Sequence, residues 1–99
     1  VNDQNQPPAG GQVQIRASDQ DLKGLYSNVM QVTHTEEEFV LDFLNVTPPI
    51  GVLSSRIVMS PGHVKRMIQA LDENLKRYEA SFGAVSPSQA PSKIGFKLK

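Results

Sequence analysis

The residues best equipped for chemistry in this chain are a histidine and two basic side chains that follow Ser60. His63, Lys65 and Arg66 lie in the first turns of a predicted helix. Free backbone N–H groups and the helix dipole favour an anion there, so the three side chains could complete a phosphate or carboxylate pocket. They are equally well explained as solvated side chains beside an N-cap, because a phosphate site usually has a glycine-rich approach and only Gly62 is available.

Other catalytic and metal-binding patterns are weak. His34 and His63 have no fixed spacing to acidic partners, and the chain has no cysteine. The acidic residues Glu36, Glu37 and Glu38 are typical of a solvated hairpin tip, and no serine lies in a nucleophile elbow. The sequence therefore predicts no catalytic residue, no metal and no cofactor, and we expect a protein that is not an enzyme.

Composition limits the remaining classes of function. The chain has 99 residues, with ten basic and ten acidic side chains and zero formal net charge. This length accommodates one domain, and the neutral charge argues against a general nucleic-acid binder. No apolar run approaches the length of a membrane span, and the N-terminus lacks the layout of a signal peptide. We therefore expect no specific nucleic acid as a partner, no membrane span, and a cytoplasmic location.

Shifts in composition divide the chain into four parts. Residues 1–11 are polar and rich in proline and glycine, which predicts a disordered tail. Residues 12–83 form the predicted single domain, and residues 84–92 form a Pro/Ser linker. Residues 93–99 form a short apolar and basic C-terminal peptide.

The residue pattern of the domain predicts an α+β fold with a four-stranded antiparallel sheet. The four strands are predicted at Gln12–Ala17, Tyr26–Thr35, Phe39–Val46 and Val52–Met59. Ser18–Gly24 predicts a turn or a single helical turn, and the prolines of Thr47–Gly51 predict a rigid turn. Ser60 as N-cap and Pro61 at the first helical position predict one long amphipathic helix that ends at about Phe82, before Gly83.

The predicted strands are apolar on two faces, although one helix can cover only one face. The second face is the candidate oligomer or partner interface, and its residues are Val29, Val40, Leu44, Val46, Val52 and Val58, interrupted by Asp42. Apolar surface of this extent marks an interaction site. We expect a homo-oligomer, a dimer or larger, although a strongly twisted sheet partly covered by the tails would also fit.

The predicted helix carries one continuous apolar stripe. Its residues recur at steps of four, three, four, three and four: Val64, Ile68, Leu71, Leu75, Tyr78 and Phe82. The simpler interpretation is that the helix packs on the sheet through this stripe. The alternative is a seam between this helix and the helix of another subunit.

Several motifs together resemble a known family. They are Tyr26-Ser27-Asn28, His34 followed by Glu38 to Phe43, Ser60-Pro61 with His63 and Lys65-Arg66, and Asn74 with Arg77-Tyr78-Glu79. Over Asp21 to Gly83 the chain resembles the uncharacterised prokaryotic domain-of-unknown-function family 3467, which implies no activity. The order of strands and helix is also similar, at the level of fold alone, to that of the SecB export chaperone.

The C-terminal peptide alternates apolar and basic residues. Ile94, Phe96 and Leu98 alternate with lysines, which is typical of a tethered docking strand, while a solubilising tail is the simpler alternative. Taken together, the sequence predicts a non-enzymatic oligomeric protein-binding or scaffold module. The alternative function is an anion or nucleotide-phosphate binder, or a small enzyme, that uses His63, Lys65 and Arg66.

Overall fold

A computed structural model describes residues 11–89 and 94–95, and their fold is α+β. In chain order the elements are α1 (Asp19–Lys23), β1 (Val29–His34), β2 (Phe39–Thr47), β3 (Ile50–Met59) and α2 (Pro61–Phe82). The three strands form one antiparallel sheet in the order β1-β2-β3. The predicted disordered residues 1–10 lie outside the described part of the chain.

The sheet has three strands in the described residues, so the prediction of four was wrong. The missing strand is Gln12–Ala17, which adopts no regular secondary structure. Its apolar residues Val13 and Ile15 are 79% and 78% exposed. Alternation of two apolar residues places both side chains on one side of an extended segment, but it does not provide a neighbouring strand for hydrogen bonding. Short strands depend on such pairing for their stability.

The first strand begins three residues later than predicted, and the residues before it are held to β2 by hydrogen bonds of their side chains as well as by the backbone N–H of Asn28, which donates to Leu44. Asn28 forms two hydrogen bonds with the backbone of Val46, donating from Nδ2 to the carbonyl and accepting the amide at Oδ1, each 2.8 Å long. The hydroxyl of Ser27 donates to the carbonyl of Leu44. Tyr26-Ser27-Asn28 therefore attaches the incoming chain to β2, which gives this motif a structural role.

The two long strands are joined by a tight turn at Pro48-Pro49, whose peptide bond is cis. Thr47 pairs with Ile50 directly across this turn. Farther along, the register shifts between Phe43, which pairs with Ser55, and Leu44, which pairs with Leu53. Ser54 is therefore the extra residue of a β-bulge, and its hydroxyl donates to the carbonyl of Tyr26.

The long helix begins and ends as the sequence predicts. The hydroxyl of Ser60 accepts a hydrogen bond from the backbone N–H of His63, and Pro61 occupies the first turn. Gly83 follows the last helical residue with φ of 98°, a conformation that favours glycine. The bounds Pro61–Phe82 match the prediction.

The position of the helix does not match the simpler prediction, because α2 does not pack on the sheet. None of its 22 residues is buried. Only Ser60 separates β3 from α2. The buried apolar core of the described residues is consequently small and consists of Val29, Leu41 and Leu44.

Candidate interaction surfaces

Five of the six predicted interface residues share one face of the sheet. Residues paired across strands point to the same side, and the register pairs Val29 with Leu44 and Val40 with Val58. Val46 lies on the same side as Leu44, two residues along β2. We call these five residues, together with Leu53, the outer sheet face.

The sixth predicted residue, Val52, lies on the opposite face. It pairs with Asn45, whereas Leu53 pairs with Leu44. The cause is the bulge at Ser54, which reverses the alternation along β3 and brings Leu53 to the outer sheet face. Simple alternation from Val58 to Val52 could not reveal this reversal.

The outer sheet face is partly covered within the chain. Val29 and Leu44 are buried, Val40 and Val46 are half-buried, and Val58 is 51% exposed. Leu44 and Val29 therefore contribute to the core of the monomer, and Val58 and Leu53 are its more accessible apolar residues.

One ion pair crosses this apolar face. Asp42 on β2 is directly opposite Arg56 on β3, and the guanidinium donates two hydrogen bonds to the carboxylate. Asp42 is only 5% exposed, whereas more than half of the Arg56 side chain is exposed. The hydrogen bonds from Arg56 lower the pKa of Asp42 from its ordinary value of 3.8, against the opposing effect of burial. The pair is neutral overall, so it places no net charge on the face.

The apolar stripe of α2 is mostly exposed to solvent. Ile68, Leu71 and Phe82 are 59%, 61% and 76% exposed, and Leu75 and Tyr78 are about half exposed. The rings of Tyr78 and Phe82 contact each other, with centroids 5.0 Å apart. Asp72 and Lys76 form an ion pair of 3.0 Å beside the stripe, and the hydrogen bond with Asp72 raises the pKa of Lys76.

The predicted anion-binding residues lie in the first two turns of α2. His63, Lys65 and Arg66 are all exposed. Their side chains form no hydrogen bond or ion pair within residues 11–89 and 94–95. The backbone N–H groups of His63 and Val64 donate hydrogen bonds to Ser60, so these two donors at the start of the helix already have acceptors within the chain. The other histidine, His34, lies at the end of β1 and stacks on Phe39.

The described part of the chain has neither a cluster of metal-ligand side chains nor a membrane-spanning helix. No group of three histidine, aspartate or glutamate residues there could hold a metal ion. No helix in that part is long and apolar enough to cross a membrane.

The C-terminal docking peptide is described only at Ile94 and Gly95, and Phe96 and Leu98 lie outside the described residues. Ile94 is half-buried. Before it, Ser88 of the linker lines a shallow cleft together with Leu25, Met30 and Phe43. The linker thus passes the end of the sheet at which β1 begins.

The sequence did not reveal the partner of Asp42 or the capping of α1. Asp42 was visible as a polar break in an apolar face, but its partner Arg56 follows only from the pairing of β2 with β3. The short helix α1, predicted as a turn or helical turn, has a full capping box in which Ser18 and Asp21 satisfy each other's backbone N–H groups. The sequence S-D-Q-D carries that signal.

A family comparison matches most of the chain. The model of the family described as "Protein of unknown function (DUF3467)" matches residues 1–87. The chain belongs to this family. The match confirms the resemblance seen in the motifs and extends it beyond Asp21 and Gly83. Comparison with curated proteins and with solved structures found no match. The likeness of this DUF3467 domain to the SecB export chaperone stays a fold-level prediction. It was based on four strands followed by a helix, whereas the sheet of the described residues has three strands.

Proposed function

We propose that this DUF3467 domain is a non-enzymatic, oligomeric protein-binding or scaffold module. The observation that carries the proposal is the stripe of α2, which is half-buried at Val64 and exposed from Ile68 to Phe82. An amphipathic helix gains most of its stability from packing its apolar face. The stripe has no such packing in the single chain, so another protein surface has to supply it.

The sheet of the same chain does not supply that surface. α2 leaves β3 after a single connecting residue, and none of its residues is buried. A contiguous exposed apolar surface on a stable protein is typical of an interaction site. The stripe therefore supports self-association, or association with a partner, as part of the folded state.

The outer sheet face supports a second contact. It combines the exposed Val58 and Leu53 with a neutral Asp42–Arg56 pair. A paired charge can be covered by a protein surface at lower cost than an isolated one. Two apolar surfaces on one small chain fit an oligomer of two or more copies, and the C-terminal peptide from Ile94 onward would be an additional docking element.

The experiment that tests the proposal places a charge on the stripe. Leu71→Glu puts a carboxylate into the surface that is proposed to be covered, and should lower the solution mass measured by light scattering. Gln69→Glu adds the same charge on the opposite side of α2 and should leave the mass unchanged. Equal masses for wild type and both variants would contradict the proposal.

No observation in the described residues favours the alternative function of anion binding. His63 and Arg66 can nevertheless serve as a control, since replacing both by alanine should leave the oligomer intact. Lys65 is excluded from this control because it lies beside the stripe.

A further inference from the structure

The shape of the apolar stripe on α2 favours another helix as its partner. A helix that packs on a sheet usually has a broad apolar face, whereas a strict alternation of four and three is the narrow seam of a coiled coil. The residues flanking the stripe are mainly polar: Lys65, Asp72 and Glu79 on one side, and Met67, Asn74 and Ser81 on the other. In heptad notation Val64, Leu71 and Tyr78 are d positions, and Ile68, Leu75 and Phe82 are a positions.

The charges beside the seam distinguish the two orientations of a helix pair. Lys65 and Glu79 lie on the same flank, two heptads apart and nearly symmetric about the middle of the stripe. If two copies of α2 run antiparallel, with Val64 opposite Phe82, then Lys65 of each copy lies beside Glu79 of the other. If the copies run parallel, that flank faces the side of Met67, Asn74 and Ser81, and no opposite charges meet.

The contacts within the chain are compatible with this pairing. Lys65 forms no ion pair in the described residues. The carboxylate of Glu79 accepts a hydrogen bond from the backbone N–H of Val85 at 3.0 Å, which holds it at the C-terminal end of the helix and leaves it further lone pairs. Asp72 is near the middle of the flank, and its charge is already paired with Lys76.

We propose that two copies of this chain form an antiparallel helix pair through the α2 stripe, with Lys65 of each copy beside Glu79 of the other. The inference rests on the proposed function, since it names the partner of the same surface as a second copy. It also gives Lys65 a role other than anion binding. An antiparallel pair is a closed, two-fold symmetric arrangement, which limits assembly through this surface to two chains.

A charge exchange on the full chain tests the pairing. Lys65→Glu and Glu79→Lys each replace two attractive contacts by two repulsive ones, and each should weaken dimerisation about tenfold in sedimentation equilibrium at low salt. The double variant Lys65→Glu with Glu79→Lys restores opposite charges and should recover most of the affinity. A double variant no tighter than either single variant would overturn the pairing.

The orientation is tested by a distance between two copies. The chain has no cysteine, so Ser81→Cys provides a single site for a nitroxide spin label. In the antiparallel pair the two labels should lie more than ~20 Å apart, since about 1.5 Å of helix separates successive residues. Labels at Asn74→Cys, near the middle, should be closer together than those at Ser81→Cys. Similar short distances at both positions would mean a parallel pair and would overturn the proposal.

These outcomes separate the inference from the proposed function. If Leu71→Glu lowers the solution mass while the charge exchange fails, the stripe is the interface but the antiparallel helix pair is wrong, and the sheet of the second copy becomes its partner. If the wild type has the mass of one chain at all concentrations, both proposals fail.

Discussion

Arg56 on β3 donates two hydrogen bonds to the carboxylate of Asp42 on β2, from Nε to Oδ1 at 2.6 Å and from Nη2 to Oδ2 at 2.9 Å. The two residues are direct cross-strand partners. Asp42 is buried in the middle of a face that is otherwise largely apolar. Because a buried carboxylate is costly without a partner, this contact both stabilises the pairing of β2 with β3 and fixes its register.

The first prediction concerns the pH dependence of that pair. The pKa of Asp42 is lower in the folded chain than its ordinary value of 3.8. The stabilisation is therefore present above that ordinary value and is lost as the pH falls through the lowered, folded-state pKa. We expect the midpoint of urea unfolding to fall in acid for wild type. Asp42→Asn should lower the midpoint at neutral pH and show a smaller further loss in acid.

The matched control for this pair is Asp72→Asn, which removes an exposed ion pair with Lys76 on α2. An exposed pair contributes little, so its unfolding midpoint at neutral pH should stay near that of wild type. If the two asparagine variants lost equal stability, the Asp42–Arg56 pair would not have the role assigned to it.

The second prediction concerns the attachment of the chain before β1. Asn28→Ala removes both side-chain hydrogen bonds to the backbone of Val46. We expect a loss of roughly 1–2 kcal/mol in the free energy of unfolding, measured by urea titration, because two hydrogen bonds are lost and a strand end is freed. Asn45→Ala removes a similar exposed side chain from β2 and should cost less than about 0.5 kcal/mol. Equal costs would refute the structural role of the motif.

The third prediction concerns the start of α2. Ser60→Ala removes the acceptor for the backbone N–H of His63 and should cost about 1 kcal/mol. The loss should be accompanied by lower helix content in circular dichroism on heating. Ser81→Ala, within the last turn, removes no N-cap and should be neutral or slightly stabilising. If Ser60→Ala had the same free energy of unfolding and the same helix content as wild type, the N-cap would not stabilise the helix.

The local elements of this fold were predictable because their signals are local. Ser60, Pro61 and Gly83 mark both ends of α2, and Pro48-Pro49 marks the turn between the long strands. The register was not predictable, because it depends on the bulge at Ser54, which moves Val52 to the other face. The contact between Asn28 and Val46 was equally hidden, since it joins residues far apart in the chain.

The position of α2 shows the same limit at the tertiary level. Its periodicity correctly predicted an apolar stripe but could not tell which surface the stripe meets. The stripe is mostly exposed in the single chain and no residue of α2 is buried, which the residues of the helix alone do not reveal. The prediction of a strand at Gln12–Ala17 was wrong for a related reason. Alternation there shows which side chains share a side of an extended segment, but it does not show which strand the segment would pair with.

The fourth prediction compares the two faces of β3. Val58 is on the outer sheet face and Val52 is on the opposite one, and both are more than half exposed. Val58→Glu should weaken the sheet-mediated contact between copies by at least about tenfold, because a carboxylate would be covered without a partner. Val52→Glu should leave this contact unchanged. The measurement is the concentration dependence of the solution mass, and equal effects of the two variants would contradict the assignment of the face.

Leu44 lies on the same face but is unsuitable for this test, because it is only 5% exposed in the single chain. A carboxylate at that position would disturb the monomer core as well as any interface. Val58 and Val52 avoid this ambiguity, since the intrinsic stability of both variants can be checked by urea unfolding in the same samples.

Self-association of the single domain is the central claim, and the solution mass of the wild-type chain tests it most directly. Light scattering on a dilution series should give at least twice the chain mass of 10.9 kDa. A mass of one chain at every concentration would contradict the claim, and with it the proposed pairing of two α2 helices.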